Sequence, residues 1–167
     1  MSQDTRGLKG LTLNHVSAAL VAGTTSTYTT TVTTTCSING KFSTTLGAQT
    51  NTASPTTDAG TGAAFNALSP NKACALVWGI NQAGAIRLCQ GPIVDTAIGV
   101  TTTVGAFLTG PDWPALPDDF CPIGYQLVRT APSAAAMTPG TSSWTASGVT
   151  CSTIQNVSQL PDRPQIA

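Results

Sequence analysis

Charge is what this sequence has least of. Only 8% of its 167 residues are Asp, Glu, Lys or Arg, against roughly a quarter in a typical soluble domain. Glutamate is absent, histidine occurs once, and seven basic residues balance seven acidic ones to a formal net charge of +0. The basic residues stand singly, without a basic run or an RNA-binding aromatic motif, so we expect no nucleic-acid partner.

Long apolar runs are missing as well. The longest apolar stretch, Lys72–Val94, is divided by the polar break Asn81–Gly84. No run approaches the roughly 20 residues that a bilayer span requires, so we expect no membrane partner. A shorter run, Val16–Ala22, is too short for a secretory core and directly follows Asn14 and His15, so we expect no export signal.

Cysteine is present in an odd number, and none of the five residues forms a CxxC pair. An odd count does not suit a disulfide framework, and zinc sites need clustered Cys and His. We therefore expect buried free thiols that act as small hydrophobes in a chain made in a reducing cytosol. The residues are Cys36, Cys74, Cys89, Cys121 and Cys151.

The chain is organised around a central hairpin within Lys72–Val94. Both faces of its first strand are apolar, which predicts a central strand that is covered on both sides. A loop with an odd number of residues, three to five, places Ile80 opposite Ile86 and Trp78 opposite Leu88 on one apolar face.

A second hairpin is predicted in the threonine-rich region. Nine of the twelve residues from Thr24 to Thr35 are threonine, and β-branched polar residues favour strands. The Asn39-Gly40 pair then turns the chain. A three-residue bulged loop with Gly40 in a left-handed conformation would place Val32, Cys36, Phe42 and Leu46 on one face, so we prefer it to a two-residue turn.

Elsewhere the pattern alternates short strands with loops. Leu11–Ala22 suits an edge strand or a short helix, and Ile123–Thr130 is a strand. The other predictions are a loop at Ala48–Gly62, a helical turn at Ala63–Leu68, a strand region at Ile93–Leu108, a proline-rich cover at Gly110–Pro122 anchored by Trp113 and Phe120, and a weak strand at Ser143–Ser152.

Together these features predict an all-β protein. We expect a single-domain β-sandwich or compact barrel of about eight short strands, with extended N- and C-terminal arms. The expected boundaries are a flexible arm at residues 1–10, a β domain at 11–159 and an extended tail at 160–167.

No residue pattern indicates catalysis, so we expect a protein that is not an enzyme and uses no cofactor. His15 is the only candidate base for a serine triad. Ser69–Lys72 matches the S-x-x-K pattern, but Pro70 and a predicted strand follow the serine where the motif expects a helix, and the companion motifs are absent. Asp112, Asp118 and Asp119 lack the spacing of a calcium loop, so we expect no metal site.

Several segments resemble small structural proteins of tailed bacteriophages. They are Ile38–Gly40 followed by Phe42, the Thr- and Gly-rich loop Pro55–Phe65, the central hairpin with Gly84 and Gln90-Gly91, the strand start Pro122–Tyr125, and Leu160–Pro164. The resemblance implies a non-enzymatic virion component that decorates or cements the capsid. It does not distinguish head from tail.

Two functions follow as hypotheses. The first is a capsid decoration or cement protein that is made in the host cytoplasm, forms a dimer or trimer, and binds the major capsid protein or other virion proteins at the capsid surface. The alternative is a tail or fibre module that binds a host receptor or glycan, with Tyr28, Trp113 or Trp144 stacking on sugars. The predicted partner contacts are Arg6, Lys9, Asp58, Trp113, Phe120, Trp144 and Arg163.

Overall fold

Strands make up all the regular structure of the described chain. The computed structural model describes residues 10–165, and within them it contains twelve strands and no helix. The strands are β1 Gly10–Asn14, β2 Leu20–Ala22, β3 Thr27–Thr30, β4 Thr34–Asn39, β5 Lys41–Leu46, β6 Gln49–Ala53, β7 Lys72–Asn81, β8 Ile86–Gln90, β9 Val94–Asp95, β10 Phe120–Thr130, β11 Val149–Cys151 and β12 Gln155–Asn156. The predicted all-β, sandwich-like class is confirmed.

The largest sheet is built around the central hairpin. Its order is β11-β10-β7-β8, with β12 also on β10 and β9 also on β7. Ile80 pairs with Ile86 and Trp78 with Leu88, so five residues separate the innermost pair. Every residue of β7 except the first and last is buried. The odd loop, the register and the two-sided cover of this strand are as predicted.

The threonine-rich region supplies two smaller sheets. Strand β3 lies in the sheet β2-β3-β6, whereas β4 lies in the sheet β1-β4-β5. Between them, residues 31–33 leave the ladder, and Val32 is 42% exposed. The predicted inward face for Val32 is therefore wrong, because the chain changes sheet at that point.

The second hairpin uses the turn that the sequence argument rejected. Only Asn39 and Gly40 lie between the innermost pair of this hairpin, Ile38 and Lys41, and their φ angles are 53° and 75°. Two positive φ angles match the twist of paired strands, which favours this turn over a bulged loop. Cys36 consequently pairs with Ser43. A register irregularity further along β5 then changes which residues face inward, so that Leu46 is buried. The left-handed Gly40 was predicted correctly.

Two apolar cores lie on opposite faces of the large sheet. The main core joins this sheet to both smaller sheets and includes Trp78, Ile123, Cys36 and Leu20. The second core contains Val77, Cys89, Phe120 and Tyr125, covered by irregular chain that includes Trp113, Leu116 and Leu160. Residues 110–119 of the proline-rich segment thus lie over the sheet as predicted. Its last three residues, 120–122, instead begin β10, where Pro122 pairs with Gly79 beside a register shift.

Several local predictions need correction. No helical turn forms at 63–68, where Ala64 and Leu68 make isolated bridges to Thr57 and Met137. Strand β6 forms inside the predicted loop 48–62, and the strand region predicted at 93–108 contains only β9. The region 143–152 contains only β11, whereas the ambiguous region 11–22 forms strands β1 and β2.

The predicted arms have different outcomes. Residues 1–9, which include Arg6 and Lys9, lie outside the described residues, and so do residues 166 and 167. Residues 160–165 form no regular element and pack back on the domain, where the indole Nε1 of Trp113 donates to the carbonyl of Pro161 at 2.8 Å. Within residues 10–165 no helix is long and apolar enough to cross a membrane.

Candidate interaction surface

An exposed apolar loop follows β9. In residues 96–110, the 96–110 loop, Ile98 is 83% exposed, Val100 75% and Leu108 67%. No charged residue occurs between Asp95 and Asp112. Exposed apolar side chains of this size are common singly, but three in one short uncharged loop mark a surface suited to association.

Hydrogen bonds hold the 96–110 loop in one conformation. The backbone amide of Ala97 donates to the carbonyl of Ala106 at 2.8 Å, and Val100 and Thr103 exchange two backbone hydrogen bonds of 3.1 and 2.8 Å. The backbone amide and the hydroxyl of Ser133 donate to the carbonyl of Thr101 at 3.0 and 2.7 Å. These bonds fix the loop tip to the rest of the domain.

The base of the loop is anchored by charged side chains. Lys72 forms an ion pair with Asp95. The guanidinium of Arg129 donates to the carbonyl of Gly105 at 3.3 Å and lies 5.2 Å from the centroid of the Phe107 ring. Such cation–π contacts stabilise by about 0.5–1 kcal/mol where solvent has access. The loop therefore presents its apolar side chains from a preorganised frame, which lowers the entropy lost on binding.

The end of the loop meets the C-terminal segment. A cavity of about 380 Å³ lies there, lined by Gly110, Pro111, Asp112, Asp162, Arg163 and Pro164. Arg163, a predicted partner contact, is exposed at this cavity. It is the one described residue of the predicted contact set that is both charged and exposed.

Asp58, by contrast, is not available to a partner. It is 6% exposed, and its carboxylate accepts hydrogen bonds from the amide of Gly60 at 3.1 Å, the amide of Gln90 at 3.2 Å and the hydroxyl of Thr61 at 2.8 Å. The residue fastens its own loop to the end of β8. This role in the fold replaces the predicted role as a contact.

The predicted aromatic contacts are also mostly internal. Phe120 and Trp144 are each 3% exposed. Trp113 is half-buried, with its ring centroid 4.9 Å from that of Tyr125 in an edge-to-face arrangement. Tyr28 is 3% exposed. Tyr28, Phe120 and Trp144 therefore present no open face of the kind that sugar stacking requires, and Trp113 is only partly exposed.

The single histidine does contact a serine. Nε2 of His15 lies 3.0 Å from the hydroxyl oxygen of Ser37. His15 is exposed, whereas Ser37 is 9% exposed. Neither residue lines the cavity at Arg163, the cavity of about 170 Å³ at Asp58, or the cavity of about 220 Å³ at Arg129.

All five cysteines lie among the described residues and none forms a disulfide; all except Cys151 are buried. Burial raises the pKa of Cys74, Cys89 and Cys151 to about 12. A hydrogen bond from the thiol of Cys121 lowers the pKa of Cys36, and the same bond together with burial raises the pKa of Cys121. Among residues 10–165 no three metal-ligating side chains of His, Cys, Asp or Glu come together.

Sequence reasoning missed Ile98, Val100 and Leu108. These residues follow neither a strand nor a helix period, and they were assigned to a strand region on the alternation around Thr101. The usable signal was the absence of charge over the whole interval from Thr96 to Pro111, combined with apolar residues that fit no periodic element.

Comparisons with known proteins add no assignment: no protein-family model, no curated protein and no solved structure matches this chain.

Proposed function

We propose that this chain is a structural protein of a bacteriophage virion, a capsid decoration or cement protein. In this role it forms homo-oligomers and binds the major capsid shell, which it stabilises. The resemblance of its sequence to small virion proteins supports this proposal. So does its composition, because a protein with 8% charged residues and a net charge of +0 is prone to associate rather than remain a free monomer.

The observation that carries the proposal is the 96–110 loop. Its three large apolar side chains are more than half exposed, although the backbone that holds them is fixed by hydrogen bonds. Burying such a side chain stabilises a complex by about 1.5–3 kcal/mol. A shell offers many equivalent sites, so even modest contacts of this kind give firm attachment when several copies are linked in an oligomer.

The test is a charge placed in the loop. We expect the double variant Ile98→Lys, Val100→Lys to weaken binding to capsids stripped of the protein by about 100-fold or more, since two buried apolar contacts are lost. Binding is measured by co-sedimentation with the capsids. The matched control is Ala83→Lys, an exposed residue of the β7–β8 loop at the other end of β7.

Location in the particle provides the second test. Quantitative mass spectrometry of purified virions should find hundreds of copies, and a cryo-EM map should show them spread over the head. A few copies at the tail tip would replace the proposal with the receptor-binding alternative. Equal capsid binding by wild type, the double variant and the control would remove the 96–110 loop from the interface.

A further inference from the structure

One charged side chain lies in a long uncharged part of the chain. Arg129 is the only charged residue in the segments 96–111 and 120–161, which contain the 96–110 loop and the strands β10, β11 and β12. It is half-buried on β10, on the same face of the strand as Tyr125 of the second core. A charge that is partly removed from water is stabilised by an opposite charge, so its partner has to be identified.

No carboxylate of the described residues pairs with Arg129. Its guanidinium donates one hydrogen bond, to the carbonyl of Gly105, and lies over the ring of Phe107. A guanidinium has five N–H donors, so most of them have no protein partner in this part of the chain. The carboxylate closest by strand register is that of Asp95, and it is already paired with Lys72.

Arg129 lines a cavity of about 220 Å³. Thr150 lies directly opposite it on β11, and the hydroxyl of Thr153 and the amide of Gln155 also line the cavity. These three polar side chains are exposed, and they make no side-chain hydrogen bond within the described residues. No acidic residue is among the described residues of the lining. The cavity therefore offers an anion one positive charge and several hydrogen-bond donors.

We propose that this cavity receives a carboxylate side chain of the capsid protein when the 96–110 loop docks. The planar fork of a guanidinium matches a carboxylate, and such pairs are often bidentate. Phe107 belongs to the loop and also lines the cavity, so the ionic site adjoins the apolar side chains of the proposed interface. This inference rests on the proposed function and adds the chemistry of the partner, which is an acidic residue beside an apolar patch.

The size and the charge of the cavity favour an acidic side chain over other anions. Pockets for small organic ligands usually measure roughly 300–1,000 Å³, whereas this cavity is smaller, at about 220 Å³. A phosphate monoester carries about 1.5–2 negative charges at pH 7, but the lining contains a single cation to balance them. One carboxylate matches one guanidinium in both charge and geometry.

A carboxylate supplied by the chain itself gives the sharpest test. Gln155→Glu places one at the cavity without removing Arg129 or its contacts with the loop, so it should compete with the carboxylate of the partner. We expect binding to stripped capsids to weaken by about 30-fold in co-sedimentation. The matched control is Gln159→Glu, the same charge change at an exposed residue that does not line the cavity. The control should bind like the wild type.

Removal of the cation provides the second variant. Arg129→Met keeps an unbranched side chain beside Phe107 but removes the charge, so we expect a similar loss of about 30-fold. Binding by this variant should also depend less on salt than binding by the wild type, because an ion pair is screened. A loop that had only lost its anchor would bind more weakly with an unchanged dependence on salt. Arg129→Lys should fall between the two, since the charge remains but the bidentate geometry is lost.

The free protein tests the cavity without capsids. The NMR signal of the Arg129 Nε–H group is followed while sodium acetate replaces sodium chloride at constant ionic strength, and inorganic phosphate is titrated separately. We expect acetate to cause a saturating shift in the wild type and none in Gln155→Glu. The absence of a shift in the wild type, or a shift with phosphate and none with acetate, would overturn the inference.

The outcomes separate this inference from the proposed function. If the wild type binds capsids and both Gln155→Glu and Arg129→Met bind equally well, the carboxylate site is wrong while the proposed function stands. If the wild type does not bind capsids, the proposed function is wrong, and with it the capsid as the source of the carboxylate.

Discussion

Removal of the Asp58 carboxylate should destabilise the domain more than any other single loss of an acidic group. Its oxygens accept three hydrogen bonds, from Gly60, Gln90 and Thr61. A hydrogen bond to a charged acceptor contributes about 1.5–3 kcal/mol, and bonds that share one acceptor are not additive. We therefore expect Asp58→Ala to lower the free energy of unfolding by about 3 kcal/mol.

The variant Asp58→Asn keeps a hydrogen-bond acceptor at this position but removes the negative charge. Its amide oxygen still accepts from the backbone amides of Gly60 and Gln90, which share one carboxylate oxygen. The hydroxyl of Thr61 can rotate to accept from the new amide nitrogen. We expect a cost of about 1 kcal/mol, because neutral hydrogen bonds are weaker than charge-assisted ones.

Urea unfolding followed by tryptophan fluorescence measures these differences, with Asp119→Ala as the control. Asp119 is exposed, and surface substitutions usually change stability by no more than about 0.5 kcal/mol. Equal midpoints for Asp58→Ala and Asp119→Ala would refute the reasoning. A loss in Asp58→Asn as large as in Asp58→Ala would show that charge, rather than the acceptor geometry, stabilises this loop.

Three further predictions concern the glycines, the tryptophans and the thiols. Gly140 and Gly62 have φ angles of 72° and 74°, but a Cβ at Gly140 would lie 1.9 Å from the carbonyl oxygen of Pro55, whereas a Cβ at Gly62 would meet no atom within 4 Å. Gly140→Ala should therefore lower the free energy of unfolding, measured in urea, by at least about 2 kcal/mol more than Gly62→Ala, and equal losses would contradict this. Trp144 donates its Nε1 proton to a β3 carbonyl at 3.1 Å. Trp144→Phe should therefore lower the free energy of unfolding in urea by about 1 kcal/mol, and Trp144→Ala by about 3–5 kcal/mol. The reverse order would contradict the packing of this ring. Burial raises the pKa of Cys74 from 9.0 to about 12, so the folded state binds this proton more tightly than the unfolded state. The thermal midpoint should therefore fall as pH rises from about 9 to about 12. The midpoint of Cys74→Ala should fall less over this interval, and an identical fall would exclude Cys74 as a cause.

The architecture around the central hairpin was predictable because several signals agree there. Apolar residues on both faces of β7 specify a central strand, and the pairing of Trp78 with Leu88 follows from parity alone. The strand at Ile123–Thr130 is equally clear, although β10 begins three residues earlier, at Phe120. Local pattern and long-range packing call for the same conformation in these segments, so the sequence suffices.

The second hairpin was mispredicted because the loop length was chosen only from which residues would share a face, without allowing for a bulge further along the strand. The irregularity in β5 allows a two-residue turn at Asn39-Gly40 while Leu46 stays buried. A bulge leaves no clear mark in a run of threonine and serine, whose residues suit either face. Only pairing with a neighbouring strand fixes such a register.

The interaction surface was harder to predict than the fold. Asp58 and Phe120 were expected to contact a partner because they lie in a predicted loop and a predicted cover segment, and Trp144 because the glycan-binding alternative expected it to be exposed. Tertiary contacts bury all three. Ile98 and Val100 were missed because they were assigned to a strand region, whereas the structure places them in a loop. The lack of charge around them was the one local signal, and the exposure of each side chain depends on where the whole chain places the loop.

The layers that cover the two faces of β7 should not unfold at the same free energy. The main core is covered by two hydrogen-bonded sheets, whereas the second core is covered largely by chain outside the strands, including Trp113, Leu116 and Leu160. Peeling that cover away breaks few ladder bonds, so it should form the weakest cooperative unit of the molecule. A protease would then cut first in the proline-rich segment or the C-terminal segment, leaving a trimmed sandwich that still holds Trp78 in place.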